Sequence, residues 1–239
     1  MLLFFIRHGD PVYDPDSLTP LGLRQAEAIG RRLALWGLDE IFASGMKRAR
    51  QTAEPACELL KMEMTVLDWA REDRAWAQLS APTADGGRDW FFCAPEDRAL
   101  LTSAPIRALG MKWHTHPAYA GTDIQNGYLR ILNETRGWLE LLGYEWDEDR
   151  GQYRHTVTGE SERRVALFAH HGFGTAFLSS VLDIPYPQVC LKMNICHSGM
   201  TVIRFPEEDW GIPQLLTLSN DGHLLADRLP TRYNNEICF

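Results

Sequence analysis

The 239-residue sequence lacks three features that would each assign it to a particular class of protein. None of its five cysteines forms a CxxC pair, and no N-terminal signal pattern comes before the first apolar segment. Its longest apolar runs fall well short of the roughly 20 residues that cross a bilayer. We therefore expect reduced thiols, a cytoplasmic location and no membrane partner.

The chain also lacks an excess of positive charge, because 24 lysines and arginines stand against 32 acidic residues. The formal net charge of −8 argues against nucleic acid as the main partner. An anionic substrate would have to be attracted by a local cluster of arginines.

His114 and His116 have a spacing that could hold a metal ion, but no acidic or cysteine partner lies near them in the sequence. We therefore expect no metal site there.

Short apolar segments alternate with helical patterns along most of the chain. This alternation predicts a three-layer α/β/α sandwich with a mostly parallel sheet, in a single domain over residues 1–239. The segments that predict strands are 2–6, 38–44, 65–67, 164–169, 200–205 and 215–219. The segments that predict helices are about 20–36, 47–60, 123–142 and 174–182, the first with Thr19 as N-cap and Gly37 as terminator.

The alternation is weaker in the middle of the chain, where prolines, paired glycines and aromatic residues interrupt it. We interpret residues 77–160 as an insertion that forms a lid over the core, within the same domain. Its last part, residues 145–162, is polar and acidic, which favours a hairpin or a long loop.

Polar side chains that suit phosphate chemistry follow several of the predicted strands. Carboxyl ends of parallel strands meet at one edge of a sheet, where ligands of open α/β proteins bind. A guanidinium beside a histidine suits a phosphoryl group, and the free N–H groups of a helix N-terminus favour an anion. The four sets are Arg7-His8-Gly9, the helix-opening segment 44–53 with Arg48, Arg71-Glu72, and His170-His171-Gly172.

These motifs, in this order and with Leu18-Thr19-Pro20-Leu21-Gly22 and Gln25-Ala26 after the first, resemble the histidine phosphatase superfamily. That superfamily has the phosphoglycerate mutase-like fold. The resemblance covers residues 1–76 and about 164–205. It leaves out most of the mid-chain insertion, which carries no motif that identifies a substrate.

The resemblance implies a metal-independent phosphomonoester hydrolase that uses no cofactor. His8 is then the nucleophile that forms a phosphohistidine, and Arg7 and Arg48 bind the phosphoryl oxygens. Glu72 is the general acid and base, with a pKa that burial near Trp69 or Trp76 raises. His170 completes the catalytic set. The expected partner is a small phosphorylated substrate, with a homodimer as a possible assembly.

Several alternatives remain open at this point. His171 occupies a position where the superfamily commonly has glycine, so either His170 or His171 is the second pocket histidine, and both are candidates for phosphate binding. Asp73 could replace Glu72. His197 and His223 are interpreted as structural. A mutase-type phosphotransferase is disfavoured because Asp14 stands where those enzymes have an asparagine, and a non-catalytic phosphate-binding protein is the remaining alternative.

Overall fold

The structure is a computed structural model that describes residues 1–157, 163–235, 237 and 238. The strands are β1 (Leu2–Arg7), β2 (Pro11–Val12), β3 (Ser17–Leu18), β4 (Glu40–Ser44), β5 (Met64–Leu67), β6 (Ser80–Pro82), β7 (Arg88–Trp90), β8 (Tyr144–Asp147), β9 (Gln152–His155), β10 (Arg164–Ala169), β11 (Met200–Arg204), β12 (Trp210–Gly211) and β13 (Gln214–Asn220). The α-helices are α1 (Pro20–Trp36), α2 (Lys47–Leu60), α3 (Glu72–Leu79), α4 (Pro95–Leu101), α5 (Ala104–Leu109), α6 (Asp123–Leu141), α7 (His171–Leu182), α8 (Tyr186–Lys192) and α9 (Gly222–Ala226).

A six-stranded sheet with the strand order β13-β11-β1-β10-β4-β5 forms the centre of the molecule. The four strands β1, β10, β4 and β5 run parallel to one another, whereas β11 and β13 are antiparallel to their neighbours. The predicted α/β architecture with a mostly parallel sheet is therefore confirmed. The antiparallel pair lies at one side of the sheet, so the parallel strands still share one carboxyl edge.

The central strands are apolar on both faces because each face packs against a layer of helices. On β1, Leu3 and Phe5 belong to one core, and Phe4 and Ile6 belong to the other. The first core includes residues of α6 and α7, and the second includes residues of α1 and α2. This two-sided burial explains why the strand signal in the sequence is a continuous apolar run.

Helix α7 begins three residues earlier than the sequence predicts. The segment His171-Gly172-Phe173-Gly174 has two glycines, which lowers its intrinsic helix propensity. The helix nevertheless starts at His171, because the Glu72 side chain accepts hydrogen bonds from the N–H groups of Gly172 and Phe173. A carboxylate from a distant segment thus stabilises a helix start that the local sequence does not indicate.

The mid-chain insertion contributes to the core as well as to the surface. Helix α6 packs against α7, and Phe91 and Trp113 form a buried aromatic cluster with Tyr128 and Tyr186. Strands β8 and β9 form a hairpin in the segment that was predicted as a hairpin or loop. The predicted segment ends in residues 158–162, which lie outside the described residues. The function of residues 77–160 as a lid stays a prediction.

Candidate active site

The register of the central strands brings two predicted site histidines together. Arg7 pairs with Ala169 across β1 and β10, so the next residues, His8 and His170, leave the sheet side by side. Their ring centroids lie 5.2 Å apart. His170 also contacts the end of β4, where its Nε2 atom lies 2.8 Å from the hydroxyl oxygen of Ser44. Three neighbouring strands therefore end at one point, as the parallel sheet predicts.

The imidazole of His8 is held in one tautomer. Its Nδ1 atom lies 2.7 Å from the carbonyl oxygen of Gly9, which can only accept a hydrogen bond. Nδ1 therefore carries the proton, and Nε2 keeps its lone pair. Burial lowers the pKa of His8 well below its usual value, and the neighbouring His170 and Arg7 lower it further. At neutral pH the ring is uncharged.

Arg7 is fully buried next to His8, and its guanidinium is fixed by two acceptors. One nitrogen donates to the carbonyl oxygen of Ile195 at 2.5 Å, and another donates to the side-chain oxygen of Asn234. Burial lowers the pKa of Arg7 to about 10, so the group still carries a positive charge at neutral pH. Its Nε atom is buried without a hydrogen-bond partner among the described residues.

Arg48 lies in the first turn of α2, with its side chain only 4% exposed. One of its nitrogens donates to Asp16 at 2.7 Å, and the other oxygen of Asp16 accepts the N–H of Lys47 at 2.7 Å. An anion was expected at this helix N-terminus, and the structure places the Asp16 carboxylate there. The buried Nε of Arg48 has no partner within the described part of the chain.

Glu72 begins α3, and its carboxylate lies at the N-terminus of α7. Its two oxygens accept the N–H groups of Gly172 and Phe173 at 2.9 and 2.7 Å. Burial raises the pKa of Glu72, and these hydrogen bonds counteract that shift without cancelling it. The raised pKa agrees with the sequence prediction. Asp73 differs, because hydrogen bonds from Arg71 lower its pKa.

His171 and His197 line the same cavity as His8. Burial lowers the pKa of His171 to about 3, so its ring is neutral at physiological pH. His197, which was interpreted as structural, stacks against His8 with a centroid distance of 5.8 Å and lies 3.3 Å from a carboxylate oxygen of Asp10. His223, in contrast, is 5% exposed and hydrogen-bonds to Ser198.

Sequence reasoning did not identify Asn234, whose side-chain oxygen accepts from Arg7 and lies 2.9 Å from Nε2 of His197. It stands near the end of the chain, in an irregular segment that carries no motif. No pattern in the sequence links it to the strand ends. Its position depends on the path of the last residues across the molecule.

These side chains surround a cavity of about 1160 Å³. Its wall includes five of the six predicted site residues, namely Arg7, His8, Arg48, Glu72 and His171. The sixth, His170, is fully buried next to His8. The arrangement combines a neutral imidazole, two guanidinium groups and a carboxyl group with a raised pKa, a set that suits transfer of a phosphoryl group.

The described residues contain no group of three or more histidine, cysteine or acidic side chains placed to hold a metal ion. All five cysteines are free thiols. In the described ranges, no helix combines the length and the apolar character that a membrane span requires.

Comparison with known proteins agrees with the resemblance that the motifs indicate. Residues 3–85 match the family model of the histidine phosphatase superfamily, branch 1. This segment contains Arg7, His8, Arg48 and Glu72, whereas His170 and His171 lie outside it. No curated protein matches the sequence.

Solved structures match nearly the whole chain at low sequence identity. A phosphoserine phosphatase from Entamoeba histolytica, in complex with 3-phosphoglyceric acid, is 15% identical with a TM-score of 0.58, and the match covers 93% of this chain and 98% of that one. A mycobacterial glucosyl-3-phosphoglycerate phosphatase in complex with VO3 is 19% identical with a TM-score of 0.58, covering 92% and 99%. These matches confirm the predicted fold, and the family match over residues 3–85 agrees with the motifs in that segment.

Proposed function

We propose that this protein is a phosphomonoester hydrolase in which His8 forms a phosphohistidine and Glu72 acts as general acid and base. The observation that carries the proposal is the tautomer of His8. The Gly9 carbonyl keeps the proton on Nδ1, which leaves the Nε2 lone pair available in a cavity lined by Arg7 and Arg48. A buried neutral imidazole between two guanidinium groups is suited to attack an anionic phosphorus centre.

In the first step, Nε2 of His8 forms a bond to phosphorus while the bond from phosphorus to the ester oxygen breaks. Arg7 and Arg48 neutralise the charge on the equatorial oxygens through their free donors. The positive charge that develops on the His8 ring is balanced by the phosphoryl group it receives. Glu72, in its protonated form, gives its proton to the departing alkoxide, so the product leaves as an alcohol.

In the second step, the ionised Glu72 takes a proton from water, and the water oxygen attacks phosphorus. The phosphorus–nitrogen bond breaks, the imidazole regains its lone pair, and inorganic phosphate leaves. The raised pKa of Glu72 supports the first step, because it increases the protonated fraction of the carboxyl group at any given pH. His170 and His171 complete the pocket as neutral hydrogen-bonding groups.

The family match and the phosphatase structures support a small phosphorylated molecule as substrate. The reaction as written uses only side chains of this chain, so we propose that it needs no metal ion or cofactor. The cytoplasmic location and the homodimer stay predictions.

The test is hydrolysis of p-nitrophenyl phosphate and a panel of phosphorylated metabolites in the presence of a chelator. We expect turnover by the wild type and by His116→Ala, a histidine variant outside the cavity, and background rates for His8→Ala. Turnover that survives in His8→Ala would contradict the proposal. A wild type that binds inorganic phosphate but hydrolyses no ester would instead favour a mutase or a phosphate-binding protein.

A further inference from the structure

An aromatic wall lies directly beside Glu72. Trp90 packs so closely on the Cα atom of Gly172 that a Cβ atom built there would overlap with its Cζ2 and Cη2 atoms. The N–H group of this same Gly172 donates to the Glu72 carboxylate. The six-membered ring of Trp90 and the carboxyl group of Glu72 therefore meet at one residue of α7.

Two further rings extend this surface. Trp76 lies on α3 four residues after Glu72, which puts both side chains on one face of that helix. Its ring meets Trp90 edge to face, with centroids 5.0 Å apart, and Phe92 stacks on Trp90 at 5.9 Å. We call Trp76, Trp90 and Phe92 the aromatic wall.

The aromatic wall faces the cavity that contains His8, because all three of its residues line that cavity. Trp76 and Trp90 are only half-buried, whereas Phe91 and Trp113, in the same part of the chain, are completely buried in the core. At about 1160 Å³, the cavity is larger than the roughly 300–1000 Å³ that holds a drug-sized ligand. A phosphoryl group fills only a small part of it, so the wall is available to another part of the substrate.

This inference rests on the proposed function, because that function fixes which part of the substrate reaches the wall. Glu72 must lie next to the ester oxygen to protonate it, and the group that this oxygen carries must then lie on the same side of the phosphorus. Trp90 and Trp76 occupy that side. Flat apolar groups are the ligands that aromatic side chains bind best.

We propose that the substrates of this protein are phosphomonoesters of alcohols that carry an aromatic ring, and that Trp90 and Trp76 bind the ring. A ring bound at Trp90 lies near Glu72, because both side chains contact Gly172, so the wall contributes to orientation as well as to binding. Small polar esters reach the same catalytic groups but leave the wall uncovered.

The experiment compares 2-phenylethyl phosphate with ethyl phosphate. Both are esters of primary alcohols, so their chemical reactivity is similar and a difference in kcat/KM reports on the ring. We expect wild type to prefer the phenylethyl ester by about tenfold or more, and Trp90→Leu to lower the ratio of the two kcat/KM values by about tenfold, whatever it does to the rate on ethyl phosphate. Trp90→Phe should restore most of the preference.

Trp210→Leu is the matched control, because Trp210 is a half-buried tryptophan that packs on Arg150 and does not line the cavity. It should keep the wild-type ratio. Equal kcat/KM for the two esters in the wild type, or an equal loss on both esters in Trp90→Leu, would overturn the inference and leave the proposed function standing.

A binding measurement separates the two proposals if neither ester is hydrolysed. The probes are 3-phenylpropylphosphonate and propylphosphonate, which have no ester bond to break, with affinities measured by calorimetry. Tighter binding of the phenyl compound that depends on Trp90 would keep the aromatic subsite and reject the hydrolase. Equal binding of both phosphonates would reject the subsite as well.

Discussion

At the scale of single residues, the chemistry depends on where protons reside. The Gly9 carbonyl fixes the tautomer of His8, and burial keeps its ring uncharged. Burial also favours the uncharged form of Glu72, and because Glu72 is an acid this raises its pKa. The same desolvation therefore favours the neutral form of both the imidazole and the carboxyl group. Arg7 and Arg48 supply the positive charge.

Glu72→Gln tests this division of roles. The variant cannot donate a proton, so we expect kcat/KM for ethyl phosphate to fall by about 100- to 10,000-fold. In the wild type, the acid form is present below the raised pKa of Glu72, so activity on this ester should decline as pH rises through that pKa. The variant should lack that decline.

Asp73→Asn is the matched control for Glu72→Gln. Its carboxyl group is adjacent in sequence but is held ionised by Arg71, which makes it a poor acid. We expect activity within about twofold of wild type, because an exposed salt bridge contributes little. A large loss in Asp73→Asn with little change in Glu72→Gln would transfer the acid role to Asp73.

At the scale of secondary-structure elements, the sequence predicts the local patterns well and the long-range ones poorly. Helix α2 and strand β10 have the predicted bounds, because apolar periodicity and flanking residues determine both. The predicted start of α7 was three residues too late. The observed start depends on hydrogen bonds to Glu72, which lies about a hundred residues earlier in the chain.

In the candidate site, too, the sequence predicts the residues that local patterns mark and misses those that only long-range contacts bring in. Arg7, His8, Arg48, Glu72 and His171 line one cavity, and each lies at the end of a strand or in the first turn of a helix. Asp16 and Asn234 come from irregular segments and contact Arg48 and Arg7 only through the folded chain. No periodicity or short motif reports such contacts, so the sequence could not indicate them.

At the scale of the whole molecule, several buried histidines in and outside the site have lowered pKa values. Burial lowers the pKa of His171 to about 3 and that of His223 to about 4, and the pKa values of His8 and His170 also lie well below the usual value. A histidine of this kind stays neutral in the folded state at a pH where the unfolded chain already binds a proton. Folding stability is then present above the unfolded pKa and is lost as pH falls.

We therefore expect the free energy of unfolding to decrease between about pH 6.5 and pH 4, by about 1.4 kcal/mol per pH unit for each such histidine. Glu72 opposes this trend in part, because its raised pKa favours the folded state at lower pH. Urea unfolding at several pH values measures this pH dependence of the free energy of unfolding. His223→Gln should reduce the slope by about 1.4 kcal/mol per pH unit, the contribution of one histidine. A free energy that stays constant from pH 7 to pH 5 would contradict the prediction.

The most direct test of the account is to trap the phosphorylated enzyme. Glu72→Gln is mixed with p-nitrophenyl phosphate, whose leaving group departs without an added proton, and the reaction is stopped in alkali, where phosphohistidine is stable. Because the variant lacks the base for the second step, we predict that the phosphoryl group accumulates and that peptide mapping finds it on His8. A phosphoryl group on another residue, or release of p-nitrophenol with no phosphorylated His8, would contradict the account.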